Sequence, residues 1–144
     1  MLVRKATSND IGDILDLYKS GLRELGEDWV EHLLVRKIVN SFHLAPCFVL
    51  VVNDNIVGMA GLTTLIFAPT GQATLTDYMF YILPEHRGLK NLSALVDQCK
   101  AFSREKKMPL KIQFAAPVPE DVRKRLFKIG GFKVCAVIGE YKNG

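Results

Sequence analysis

The sequence predicts a domain of the α/β (α+β) class, in which a mixed twisted sheet of about six strands is flanked by four helices. The order of predicted elements is β-α-α-β-β-β-α-β-α-β. Three consecutive strands joined by short turns run antiparallel, whereas a helix joins the fourth strand to the fifth and makes that pair parallel. With 144 residues, 49% hydrophobic and 24% charged, the chain has the size and profile of one globular domain, residues 1–144.

The N-terminal part is predicted to contain one short strand and two helices. Leu2–Ala6 is the strand candidate. Thr7 or Ser8 can cap the helix that follows, and Asp10 suits the positive end of its dipole. A second helix is expected from about Trp29 to Val39. Apolar residues recur at helical spacing in the first helix: Ile11, Ile14, Leu15, Tyr18 and Leu22.

Three strands are predicted to follow as an antiparallel meander. Their ranges are Phe48–Val52, Ile56–Phe67 and Ala73–Leu83. The first turn, Asn53-Asp54-Asn55, contains residues that tolerate left-handed backbone conformations, and this is typical of a tight hairpin. Pro69-Thr70-Gly71 supplies the second turn.

The C-terminal part is predicted to alternate helices and strands. A helix begins near Gly88, a strand spans Leu110–Ala115, and a helix covers Glu120–Ile129. Gly130-Gly131 ends that helix, and Phe132–Gly139 is the expected final strand. The helix after Gly88 has a periodic apolar face: Leu89, Leu92, Leu95, Val96, Cys99 and Phe102.

Composition argues against several classes of protein. No apolar run approaches the roughly 18–20 residues of a membrane span, and charged residues interrupt any signal-peptide core near the N-terminus. The three cysteines, Cys47, Cys99 and Cys135, lie far apart in apolar segments, as expected of reduced core thiols in a cytoplasmic protein. A net charge of +4 without interleaved aromatic and basic residues does not indicate a nucleic-acid partner.

One strand-to-helix joint carries chemistry. In "PEHRGLKN", Gly88 allows a ligand to approach the backbone closely, and the helix after it presents unpaired N–H groups and the positive end of its dipole. Arg87 and Lys90 add positive charge. Local chemistry leaves two interpretations: an anion site suited to a pyrophosphate, or a turn that is merely charged.

Four segments in order resemble one family. The segments are "VRKATSNDIGDILDLYKS", "VLVVNDNIVGMAGL", "FYILPEHRGL" and "VRKRLFKIGGF". They are similar to the opening strand and helix, the second and third strands, the acetyl-CoA motif and the C-terminal helix of the GNAT superfamily of N-acetyltransferases. The resemblance covers nearly the whole chain and implies the fold of that superfamily.

The resemblance implies a reaction in which a substrate amine attacks acetyl-CoA directly, without a metal or a covalent enzyme intermediate. It places the pantetheine arm between Tyr81–Leu83 and Ile112–Ala115, with the backbone N–H of Ile82 on the thioester carbonyl, where it would stabilise developing charge. Backbone N–H groups would hold the pyrophosphate. The coenzyme-binding residues implied are Ile82, Leu83, Arg87, Gly88, Leu89, Lys90, Asn91 and Leu92.

The proton-transfer groups and the acceptor site are less defined. Asp77 lies where some members of the superfamily carry a catalytic glutamate, so it is the candidate base, with a surface carboxylate on the strand rim as the alternative role. Tyr78, Tyr81 and Glu85 are nearby alternatives for the base. Trp29, Tyr78 and Tyr81 are candidate acceptor-binding residues, with a packing role as the alternative. Phe127 replaces the tyrosine that commonly protonates the departing thiolate.

Two functions therefore remain open from the sequence. The first is an acetyl-CoA-dependent N-acetyltransferase acting on a small-molecule or protein amine. The second is an inactive protein of the same fold that serves as a coenzyme-binding, regulatory or interaction module. Phe127 favours the second, as do Lys90 and Leu92, which replace small residues of the acetyl-CoA motif. Free edges of the long strands are compatible with a homodimer.

Overall fold

The computed structural model of the protein describes residues 1–67, 69–114, 119–134 and 141. The strands are β1 (Leu2–Lys5), β2 (Cys47–Val52), β3 (Asn55–Phe67), β4 (Gln72–Ile82) and β5 (Leu110–Lys111). The helices are α1 (Ile11–Glu24), α2 (Glu31–Phe42), α3 (Leu89–Lys106) and α4 (Glu120–Gly130), with 3₁₀ turns at Ser8–Asp10 and Pro84–His86.

The five described strands form one sheet in the order β1-β2-β3-β4-β5. Strands β1 to β4 pair antiparallel with their neighbours, and β5 pairs parallel with β4. The prediction of a mixed sheet flanked by four helices is therefore confirmed. Asn53 and Asp54 have φ angles of 49° and 63°, the left-handed conformations that the tight β2–β3 hairpin requires.

Several element boundaries differ from the prediction. The second helix begins at Glu31 and ends at Phe42, because Val30 is still extended with φ −113° and ψ 114°. The fifth strand pairs only at Leu110 and Lys111. Of the predicted final strand, residues 132–134 are irregular and 135–139 lie outside the described residues. Ala115, the predicted end of the fifth strand, also lies outside them.

Each face of the sheet carries its own hydrophobic core. The face covered by α3 and α4 buries Phe48, Leu50, Leu62, Leu75, Phe80, Leu95, Cys99 and Leu126. The opposite face, covered by α1 and α2, buries Ile14, Ile38, Cys47, Val49, Met59, Met79 and Tyr81. Burial on both faces explains why β2 is a continuous apolar run and not an alternating one.

Two of the three cysteines are confirmed as core thiols. Cys47 and Cys99 are free and buried. Burial raises the pKa of the Cys47 thiol to about 12 and also raises the pKa of Cys99, so both stay protonated and unreactive. Cys135 lies outside the described residues. No helix in the described ranges is long and apolar enough to cross a membrane.

Asp10 joins β1 to the start of α1. Its carboxylate accepts hydrogen bonds from Arg4 Nη1 (2.7 Å), Arg4 Nη2 (3.1 Å) and the Thr7 N–H (2.8 Å), and its side chain is only 11% exposed. Chiefly through the Arg4 hydrogen bonds, the pKa of Asp10 falls from 3.8 to about 2. A carboxyl group whose pKa is lower in the folded protein than in the unfolded chain stabilises the fold at pH values above its unfolded-state pKa. That contribution disappears as the pH falls through the folded-state pKa.

Asp10→Asn is therefore expected to lower the free energy of unfolding by about 2 kcal/mol at neutral pH. The difference from wild type should shrink from about pH 4 downwards and vanish near about pH 2. Urea unfolding at a series of pH values measures both. Asp13→Asn, an exposed carboxylate in the first turn of α1, is the control. Equal stability of the Asp10→Asn variant and wild type at neutral pH would contradict the assignment.

Candidate functional site

The fourth and fifth strands separate after a short paired stretch. They pair only at Leu75–Leu110 and Thr76–Lys111. One residue further along β4, Asp77 Oδ1 accepts the Gln113 N–H at 2.8 Å. Phe114 then has a φ angle of 50°, which takes the chain out of the extended conformation. Among the described residues, no strand pairs with β4 beyond Thr76 on the side away from β3, and we call this edge of β4, from Asp77 to Ile82, the gap beside β4.

Asp77 is buried, with only 4% of the residue exposed. The alternative of a surface carboxylate on the strand rim is therefore wrong. The side chain instead satisfies a main-chain N–H that has lost its strand partner, which is a stabilising role in itself. A base role for Asp77 stays a prediction.

A bulge changes the direction of the side chains along β4. Leu62 pairs with Asp77 and Gly61 pairs with Met79, so Tyr78 is the extra residue. Tyr78 and Met79 both pack on the face covered by α1 and α2. The alternation that places Leu75 and Phe80 on the α3 face therefore shifts by one residue at Tyr78.

The main chain of Ile82 faces the gap. The Leu83 N–H donates to the Val57 carbonyl at 2.9 Å, so Leu83 directs its polar groups towards β3. Successive residues of an antiparallel strand direct these groups to opposite sides. The N–H and carbonyl of Ile82 consequently point away from β3, towards the side where β5 has separated.

Helix α3 begins shortly after the end of β4, following the 3₁₀ turn at Pro84–His86. Its first hydrogen bond runs from the Leu92 N–H to the Gly88 carbonyl at 3.0 Å, so the N–H groups of Leu89, Lys90 and Asn91 precede it and point out of the helix end. A Cβ at Gly88 would meet no heavy atom of the described chain within 4 Å. The space beside Gly88 is therefore open among the described residues, and unpaired N–H groups at a helix start suit an anion.

The side chains of this turn have different roles. Leu92 is 5% exposed and packs in the core, whereas Lys90 is exposed. Asn91 Nδ2 donates to the His86 carbonyl at 2.7 Å and so ties the 3₁₀ turn to the helix start. The replacement of a small motif residue by Leu92 is therefore accommodated by packing.

The Arg87 side chain turns back across the end of β4. Its Nε donates to the Ile82 carbonyl at 2.8 Å, and its Nη2 donates to both carboxylate oxygens of Glu24, at 2.8 and 2.7 Å. The guanidinium lies 5.3 Å from the centre of the Tyr81 ring. The Tyr81 hydroxyl also donates to Glu24 Oε1 at 2.9 Å. We call Glu24, Tyr81 and Arg87 the Glu24 cluster.

Sequence reasoning missed Glu24, which lies 63 residues before Arg87. One signal was available: Glu24 is the last residue of α1, where the helix dipole disfavours a carboxylate that has no cationic partner. Burial and the bond to Glu24 raise the pKa of Tyr81, so its hydroxyl remains a donor at neutral pH.

The other predicted acceptor-side residues are separated by element. The Tyr78 ring stacks on Tyr18 of α1, with 5.5 Å between ring centres, and burial raises the pKa of its phenol. Trp29 lies in the α1–α2 connection, where the Arg23 guanidinium covers its ring at 5.5 Å. The structure thus places Tyr78 and Tyr81 on the α1 side of β4, with Trp29 on a loop.

Phe127 belongs to a chain of aromatic rings that reaches β4. It lies between Phe114 (5.4 Å) and Phe132 (5.6 Å), and Phe114 contacts Phe80 edge-on at 5.1 Å. The position that the resemblance associates with an acid is therefore a packing position in this chain, on the α4 side of the gap.

Comparison with known proteins agrees with this geometry. Residues 11–132 match the model of the Acetyltransferase (GNAT) family, whereas a search of curated proteins finds no match. The fold is similar to that of a probable acetyltransferase, with a TM-score of 0.78 at 13% identity over 100% of this chain and 97% of the other.

Two further solved structures share the fold. One is a predicted acetyltransferase with acetyl-CoA from Clostridium acetobutylicum, at TM-score 0.76 and 17% identity over 98% of this chain and 95% of the other. The second is a ribosomal-protein-alanine N-acetyltransferase from Brucella melitensis biovar Abortus 2308, at TM-score 0.70 and 21% identity over 100% and 99%. Because the family model spans most of the sequence, this chain belongs to the acetyltransferase (GNAT) family.

Proposed function

We propose that the protein is an N-acetyltransferase that uses acetyl-CoA as donor and an amine as acceptor. The observation that carries the proposal is that two features follow each other along the chain. The Ile82 N–H points to the unpaired edge of β4, and α3 begins shortly after that strand, where the N–H groups of Leu89, Lys90 and Asn91 precede the first helical hydrogen bond. A long, thin ligand with a phosphate group fits such a site.

The residues present fit acetyl-CoA. When bound, it would supply an acetyl group activated as a thioester. The N–H groups of Leu89, Lys90 and Asn91 would hold the pyrophosphate, with the exposed Lys90 side chain close enough in sequence to add charge. The Ile82 N–H would donate to the thioester oxygen, where negative charge grows during attack by the amine.

Phe127 supports one alternative function, a coenzyme-binding protein without turnover. Its ring is packed among other phenylalanines and has no proton to donate. A thiolate leaves without an acid more readily than an alkoxide does, because the pKa of a free thiol is only about 8.5. The absence of a phenol at residue 127 is therefore compatible with turnover assisted by solvent.

Ligand-dependent melting tests the proposal. At a concentration of about 100 times its Kd, acetyl-CoA should stabilise the fold by about 2.7 kcal/mol, which corresponds to a rise in Tm of roughly 5–10 °C for a domain of this size. ATP at equal concentration is the control, since it carries phosphates without the pantetheine arm. No shift with acetyl-CoA would refute the proposal. Thiol release over a panel of amines then separates an enzyme from a binding protein.

Asp77→Asn tests the proposed base. An asparagine oxygen can still accept the Gln113 N–H, so the substitution removes the charge and keeps that hydrogen bond. Turnover is expected to fall by about 10²-fold, with the Kd for acetyl-CoA within about twofold of wild type. Steady-state rates across pH and titration calorimetry measure the two effects. Asp16→Asn, an exposed site on α1, is the control. An unchanged rate and pH profile would leave Asp77 with the stabilising role alone.

A further inference from the structure

We propose that Glu24 is a positioning residue for acetyl transfer, acting through Arg87 on the main chain of Ile82. This inference rests on the function proposed above. The Glu24 cluster links the last residue of α1 to the end of β4 and the turn before α3. The end of α1 lies far in sequence from the other two elements, so the cluster holds it against the end of β4 and the turn before α3.

The geometry is that of a clamp and not of an isolated surface pair. Arg87 Nη2 contacts both Glu24 oxygens at 2.7–2.8 Å, and Glu24 Oε1 also accepts the Tyr81 hydroxyl at 2.9 Å. The side chains of Arg87 and Glu24 are 34% and 30% exposed. Exposed single ion pairs contribute little, but this pair is also tied by hydrogen bonds to Tyr81 and Ile82, and such a network holds its side chains in one arrangement.

The clamp has a definite target. The Ile82 carbonyl points towards the side from which β5 has separated, and Arg87 Nε supplies its hydrogen bond at 2.8 Å. Without that bond, the end of β4 would be held on one side only, through the Leu83 N–H and the Val57 carbonyl. The orientation of Ile82 therefore depends on Arg87, and the orientation of Arg87 depends on Glu24.

The same contacts predict different effects of Glu24 on the acetyl-transfer step and on coenzyme binding. Because Glu24 and Ile82 occupy the guanidinium, Arg87 contributes its main chain, and not its side-chain charge, to the coenzyme site. Loss of Glu24 should then lower the rate of the acetyl-transfer step, because that step needs a correctly oriented Ile82 N–H. It should not weaken coenzyme binding, and a released guanidinium would strengthen it.

Three variants test this: Glu24→Gln, Arg87→Lys and the double variant. Arg87→Lys keeps the charge but cannot reproduce the forked contacts to Glu24 and Ile82. Glu31→Gln is the matched control, because Glu31 pairs with Lys19 between α1 and α2 and so removes a comparable tertiary ion pair. For each variant we would measure kcat and the Kd for acetyl-CoA. We would also measure amide hydrogen exchange over residues 79–88 in the ligand-free protein.

Glu24→Gln is expected to lower kcat by about tenfold, while the Kd for acetyl-CoA stays within about twofold of wild type or falls. Amide exchange at Leu83 and His86, whose N–H groups bond Val57 and Leu83, should quicken by about fivefold or more. The double variant should be no worse than Arg87→Lys, since both residues act through one bond. The Glu31→Gln control should match wild type in all three measurements.

Several results would overturn the inference. These are exchange or kcat unchanged in Glu24→Gln, a loss that arises entirely from weaker coenzyme binding, or additive losses in the double variant. Should Glu24→Gln fail to fold, Arg87→Lys carries the same test. If wild type neither binds acetyl-CoA nor transfers the acetyl group, the proposed function fails, and exchange in the ligand-free protein still decides whether Glu24 positions the end of β4.

Discussion

Replacing Gly88 with glutamate is expected to abolish acetyl-CoA binding and leave the fold intact. Gly88 has φ 160° and ψ 161°, an extended conformation that any residue can adopt, and a Cβ there would meet no heavy atom of the described chain within 4 Å. The glutamate would therefore project into the open space before α3. There its charge would occupy the N–H groups proposed for the pyrophosphate and repel the phosphates themselves.

The expected size is a rise in Kd of at least about 100-fold, equivalent to about 2.7 kcal/mol, with the Tm of the ligand-free protein almost unchanged. Titration calorimetry and thermal melting measure the two quantities. Gly12→Glu is a close control, because Gly12 on α1 also has no neighbour within 4 Å of a Cβ and the change in charge is the same. Retained binding in Gly88→Glu would refute the placement of the phosphate site before α3.

The parts of this site that could be predicted are those encoded locally. The turn after β4 is specified by Pro84, by Gly88 and by the apolar periodicity of the helix that follows. Each acts within a few residues of its own position. The β2–β3 hairpin is also predictable from local sequence, because Asn53 and Asp54 tolerate the positive φ angles found there.

The remaining features depend on contacts between distant segments. The partner of Arg87 is Glu24, 63 residues away, and no local pattern selects that carboxylate from the others on α1. Similarly, β5 ends after Lys111 because Asp77, a residue of another strand, accepts the N–H of Gln113. The alternating segment Leu110–Ala115 contains no signal for that exchange of partners.

The bulge at Tyr78 was unpredictable for a related reason. Strand alternation alone places Tyr78 and Met79 on opposite faces, whereas the structure places both against α1 and α2. The bulge also depends on Gly61 of the neighbouring strand β3. The Tyr78 ring lies across Gly61, and only a residue without a side chain leaves room for it.

Gly61→Ala is accordingly expected to be the most damaging single-methyl change in this part of the sheet. A Cβ at Gly61 would lie 2.4 Å from Tyr78 Cζ and 2.6 Å from Cε2, far inside contact distance. Tyr78 cannot move freely, because Tyr18 stacks on it. We expect a loss of about 3 kcal/mol in the free energy of unfolding, and a fall in acetyl transfer greater than the loss of folded protein explains, because the bulge determines which β4 residues face the gap.

A second substitution makes this prediction specific. Tyr78→Ala removes the ring that an alanine at residue 61 would strike, so the double variant Gly61→Ala/Tyr78→Ala should be more stable than the sum of the two single losses allows. Gly12→Ala, which adds a methyl group in open space on a helix, should be neutral or stabilising by up to about 1 kcal/mol. Urea unfolding of the four variants gives the coupling directly. Strict additivity between residues 61 and 78 would mean that the Tyr78 ring does not rest on Gly61, and Gly61 would lose its assignment as a determinant of the bulge.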